Sequence, residues 1–94
     1  MTYLKLKWLE AGEKYPVWLY SELDAERWET RKVDVFADGT MAWADETTDD
    51  EMNTALGSTP APTFQEIAND PEFEAEEISR EQFEVIWNEA TKAF

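Results

Sequence analysis

Apolar residues alternate with polar ones through the first half of the chain and recur at helical spacing near its end. Leu4, Leu6 and Trp8 alternate with Tyr3, Lys5 and Lys7, the two-residue period of a half-buried strand. Glu10-Ala11-Gly12-Glu13 breaks that pattern, and Pro16 stands where a second strand begins. Val17 to Leu23 is nearly all β-favouring, as in a strand covered on both faces. Asp24 and Ala25 form a short connection, and Arg27 to Phe36 supplies a third strand with Trp28, Val33, Val35 and Phe36 as its apolar members. Asp38-Gly39 is a hairpin signal, because Gly takes the positive φ such turns require, and Thr40 to Ala44 returns as a fourth strand. The pattern predicts a four-stranded antiparallel meander at about 3–9, 17–23, 27–36 and 40–44.

Further along, the signals are those of helices. Ser79 and Gln82 have capping-box spacing, with Ile78 and Phe83 at the hydrophobic-staple positions. Phe83, Ile86, Trp87, Ala90 and Phe94 then lie on one stripe, so a helix is predicted over 80–93. Thr63 and Glu66 form a second capping box, opening a short helix over 64–69 that Asp70-Pro71 ends. Thr48, Glu51, Met52, Leu56 and Gly57 suggest one or two further helical turns. Ser58 to Pro62 reads as a loop. The expected fold is α+β, a single domain over 1–94: one sheet with the last helix on one face, two layers in all. Leu4/Leu6/Trp8, Val17/Leu19 and Val33/Val35 are expected to face that helix. Trp18 and Tyr20 would then point away from it, with Trp28 near them. The ten-residue spacing of Trp8, Trp18 and Trp28 has no matching flanks and reads as chance.

Composition narrows the functional classes. The chain has 94 residues with 22 Asp and Glu, 8 Lys and Arg and no His, a net charge of −14. Aromatics at 14 %, five Trp among them, set it apart from a disordered acidic tail. The charge is lopsided: residues 1–44 carry six basic and eight acidic side chains, residues 45–94 two basic and fourteen acidic. No Cys means no disulfide, thiol nucleophile or thiolate metal site. Without His, Ser21, Ser58 and Ser79 lack their usual activating base, and Ser79 already has a capping role. Carboxylate pairs of the kind that cleave sugars arise by chance among so many acids, so the chain is expected to be no enzyme and to hold no cofactor. The start shows no basic segment followed by an apolar run, and no stretch is apolar enough to span a membrane. A cytoplasmic protein of a bacterial host cell, monomeric, with no direct contact to nucleic acid or membrane, is the expectation.

Two acidic clusters stand out: Asp45, Glu46, Asp49, Asp50 and Glu51, then Asp70, Glu72, Glu74, Glu76 and Glu77. If 72–76 is extended, Glu72, Glu74 and Glu76 share a side at roughly 6.6 Å spacing. A nucleic-acid strand presents one charge per about 3.4 Å, so the match is about one carboxylate to two phosphates. Such a surface suits a basic groove on another protein; the competing reading is a solvated face that maintains solubility. As a Ca²⁺ site, 45–51 supplies carboxylates but lacks the register and central Gly of a helix–loop–helix loop. Asp34 and Asp38 flanking Phe36 are a weaker metal candidate, because the turn explains Asp38. Trp18 and Tyr20 are candidate partner anchors, with a small secondary cluster beneath 45–62 as the alternative. Lys5, Lys7, Arg31 and Lys32 read as a ladder pairing with nearby acids.

The runs Leu19-Tyr20-Ser21-Glu22, Arg31-Lys32-Val33-Asp34-Val35-Phe36-Ala37-Asp38-Gly39 and Pro71-Glu72-Phe73-Glu74-Ala75-Glu76-Glu77-Ile78-Ser79, with Phe83 and Trp87, resemble a family of small acidic bacterial domains of unknown function. The resemblance spans about residues 3–90, departs at 45–57, and implies strands followed by a helix with no known active site. At the level of class alone, size and acidity are similar to phage anti-CRISPR proteins and to immunity proteins of nuclease toxins. The expected function is a stoichiometric inhibitor that occupies a basic nucleic-acid-binding surface, on a CRISPR effector or a nuclease. The alternatives are an immunity protein against a nuclease toxin and an acidic Ca²⁺-responsive or structural module.

Overall fold

The computed structural model describes residues 1–10, 12, 15–47, 56–57 and 60–91. Five strands, β1 (Thr2–Trp8), β2 (Trp18–Leu23), β3 (Glu29–Val35), β4 (Met41–Asp45) and β5 (Phe73–Ile78), form one antiparallel sheet in the order β4-β3-β2-β1-β5. Two helices, α1 (Phe64–Ala68) and α2 (Arg80–Thr91), complete the α+β arrangement. The meander falls within two residues of the expected boundaries. β5 is an addition to it: the chain returns from β4 and lays Phe73–Ile78 along the free side of β1, pairing Tyr3 with Ile78 and Trp8 with Phe73.

Local chemistry explains the turns. Between β2 and β3, the Asp24 carboxylate accepts the backbone N–H groups of Glu26 and Trp28, each at 2.9 Å. Arg27 there takes φ 68°, a left-handed conformation that disfavours a side chain. At the next turn Gly39 has φ 89° and Asp38 accepts the Thr40 N–H at 2.9 Å. Both capping boxes form. Gln82 N–H donates to Ser79 Oγ at 3.1 Å while Ser79 N–H donates to Gln82 Oε1 at 2.9 Å. Thr63 and Glu66 exchange the same pair of bonds at the start of α1.

The side chains of an antiparallel sheet alternate between its faces, so register assigns each one. Tyr3, Tyr20, Val33, Trp43 and Ile78 share the face that α2 covers, where Phe83 is fully buried and Trp87 packs beside it. Phe83 lies 5.3 Å from the Tyr3 ring, and Trp87 meets Trp43 edge-on at 5.4 Å. Leu4, Leu6, Leu19 and Leu23 point to the other face, beneath Ala61, Pro62 and α1. This reverses the expected facing of β1 and β2, while Val33 does face the helix as expected. It also makes three layers of the expected two. The cause is the covering of both faces: when Tyr3 and Leu4 are both buried, at 7 % and 2 % exposure, alternation alone does not say which side receives the helix.

Arg31 fixes α2 in place. Its guanidinium donates two bonds to Glu22, at 2.9 and 2.6 Å, and reaches Glu84 of α2. It lies 5.0 Å from the Phe83 and Trp87 ring centres. Arg31 and Thr30, by their hydrogen bonds, draw the buried Glu22 carboxyl down to about 2 against the burial that opposes ionisation. On the leucine face the Arg27 guanidinium donates to the Pro62 carbonyl at 3.0 and 2.6 Å, clasping the chain that leads into α1.

Candidate functional site

β5 is an edge strand, and its outer side has no partner strand among the described residues. Its alternation places Glu74 and Glu76 on the α2 side of the sheet and Glu77 on the other. All three are exposed, as is Glu72, whose carbonyl accepts Leu9 N–H at 2.9 Å and ties the strand entrance to β1. α1 brings Glu66 to one flank of this edge, and Asp70 follows in the short link from α1 to β5. No Lys or Arg occurs between Lys32 and Arg80, so this whole edge is built from a stretch without a cation.

Opposite Glu76 and Glu74 in register stand Lys5 and Lys7. Their ammonium groups turn to Trp18 on the next strand, at 4.6 and 5.5 Å from its ring. Among the described residues, ion pairs form at Arg31 and Lys32 and not at these two lysines. The expected ladder of β-sheet ion pairs is thereby half realised. Lys5, Lys7, Trp18, Glu74 and Glu76 line one shallow depression of about 190 Å³. Trp18 is half-buried beneath the lysines. Tyr20 is packed against the α2 core, and burial, with Glu76 and Glu89 nearby, pushes its hydroxyl above the usual tyrosine range.

The first acidic cluster lies elsewhere. Asp45 ends β4, the opposite edge of the sheet, where it accepts the Thr47 N–H at 3.0 Å. Four strand spacings, roughly 19 Å, separate that edge from β5. Asp45 and the exposed Glu46 therefore do not join Glu72, Glu74, Glu76 and Glu77 in one patch. Asp49, Asp50 and Glu51 lie outside the described residues, as do Thr48, Met52, Ser58 and Phe94. Asp70 spends one oxygen on the Glu72 N–H, at 2.9 Å.

The metal candidates separate as well. Asp34 is buried on the leucine face with Lys32 at 3.5 Å, whereas Asp38 belongs to its turn. Among the described residues no group of three or more carboxylates is placed to hold a metal ion. None of their helices is long and apolar enough to cross a membrane. A family model described as a domain of unknown function, DUF6881, matches residues 2–92. No curated protein and no solved structure matches the chain.

Proposed function

The chain belongs to the DUF6881 family, whose description assigns no activity, and from its own surface chemistry we propose that it is a non-catalytic acidic binding protein that occupies a basic nucleic-acid-binding surface of another protein. The observation that carries this reading is the β5 edge, where Glu74, Glu76 and Glu77 are exposed on a hydrogen-bonded strand and Glu72 is exposed in the turn that leads into it. Carboxylates held on a strand need no ordering on binding, which spares the entropic cost that a flexible acidic tail incurs. Same-face spacing of roughly 6.6 Å applies to Glu74 and Glu76, Glu72 lying in a turn and Glu77 on the other face, and it sets one carboxylate against about two phosphates of a nucleic-acid strand. Trp18, on β2 beyond the lysines of β1, adds an aromatic anchor at the margin of the same surface.

The partner is a nucleic-acid-handling protein, a CRISPR effector or a nuclease toxin, and an inhibitor or an immunity protein uses the same physics against either. Long-range attraction between the −14 chain and a basic groove speeds encounter. The test is affinity capture on the immobilised protein from a bacterial lysate at low salt, followed by elution with either concentrated salt or added nucleic acid. Supporting the reading requires a basic protein that both treatments release. A retained protein that holds nucleic acid and this chain at once contradicts it.

A further inference from the structure

A second, different kind of site opens on the leucine face. Leu4, Leu6, Leu19 and Leu23 form the floor of a cavity of about 430 Å³, and Ile67 of α1 and Phe73 of β5 wall it. Protein interiors close-pack and leave few voids larger than a water molecule. This volume falls within the range of small-molecule pockets, and it is roughly three times the size of a cavity of about 150 Å³ that takes one benzene. The roof stays off the floor for a visible reason. α1 has five residues and none is buried, and it is suspended between the Arg27 clasp on Pro62 and the start of β5.

The polar groups at the cavity wall select among occupants. Glu29 has both carboxylate oxygens engaged, by Ser21 Oγ at 2.8 Å and by Gly57 N–H at 2.9 Å. Lys32 faces Asp34 at 3.5 Å. Glu66 on α1 and Asp70 just beyond it each use a single oxygen: Oε1 of Glu66 accepts from Thr63, and Oδ1 of Asp70 from Glu72. Their second oxygens, Oε2 and Oδ2, carry no hydrogen bond among the described residues. We infer that the cavity between the leucine face and α1 binds a small apolar molecule bearing a cationic amine, the apolar body on the leucines and the ammonium at Glu66 and Asp70. This site adjoins the β5 edge through Asp70 and Phe73, but its ammonium contacts, Glu66 and Asp70, are not among Glu72, Glu74, Glu76 and Glu77, so the two sets of acids can be substituted separately.

Titration of n-octylamine, octanol, octanoate and ethylamine, followed through the methyl resonances of Leu6, Leu19 and Ile67, tests it. Octylammonium is expected to bind at least tenfold more tightly than octanol. Leu19→Phe, whose ring intrudes on the cavity without filling it, weakens both. Glu66→Gln with Asp70→Asn keeps the cap acceptors and reduces the preference for the amine to under threefold. Four results overturn the inference. Absence of any methyl shift means the cavity is no site. Equal affinity for ethylammonium and octylammonium reports attraction to net charge alone. Octanoate binding as tightly as octylammonium removes the cationic class, and octylammonium binding unchanged by Leu19→Phe places it elsewhere.

Discussion

Arg31 joins the sheet to the last helix through one side chain, bonded to Glu22 on β2 and Glu84 on α2 with two aromatic rings against its plane. Lys has no fork with which to make the two parallel bonds to Glu22. Removing the guanidinium leaves a nearly buried carboxylate unpaired, so Arg31→Met should lower unfolding free energy by about 3 kcal/mol in urea titration. The same pair sets an acid limb. The folded Glu22 carboxyl lies near 2, below its ordinary value of 4.5, so it binds fewer protons folded than unfolded there. Its contribution to stability is complete above 4.5 and is lost as pH falls toward 2. Stability measured across that window should drop steeply in the unaltered chain and more shallowly in Arg31→Met. Parallel acid limbs would contradict the assignment. In the sequence Arg31 reads as one rung of a basic ladder pairing with nearby acids, as it does with Glu22; which acids these are was not legible, because its two partners lie 9 and 53 residues away in the chain.

At the scale of elements, what could be read in advance was what local chemistry fixes. Ser79 and Gln82, Thr63 and Glu66, and Asp38-Gly39 each declare themselves within four residues, and each forms as expected. Ser79→Ala should accordingly cost about 1 kcal/mol, read by thermal melting, with α2 still formed. β5 is not among the predicted strands because Glu and Ala are poor strand formers, so Phe73-Glu74-Ala75-Glu76 reads as an acidic cluster whose extended form is only supposed. What makes it a strand is the open side of β1, a non-local partner. The reversed facing of β1 and β2 has a related origin. Leucines and aromatics are both apolar enough to be buried, and the choice between them falls to the shape of α2, whose Phe83 and Trp87 pack against Tyr3 and Trp43. Of the candidate site, the acids of β5 were legible as residues, but their separation from Asp45 needed the strand order.

Across the whole molecule, negative charge governs the behaviour of everything outside the core. A net charge of −14 on 94 residues opposes compaction through self-repulsion, and salt screens it. Raising NaCl from about 20 mM to about 500 mM should therefore raise the melting temperature by about 5 °C. Ca²⁺ at equal ionic strength should do little more; a large shift specific to Ca²⁺ would favour the metal-responsive module instead. Under the proposed function, the acids on and beside β5 are the part of this charge that meets the partner. The most direct measurement is a displacement titration, in which this chain competes with labelled nucleic acid for the protein captured at low salt. A variant carrying Glu72→Gln, Glu74→Gln, Glu76→Gln and Glu77→Gln should compete about tenfold or more weakly while melting no lower than the unaltered chain. Equal competition by that variant would contradict the claim that the β5 edge stands in for nucleic acid.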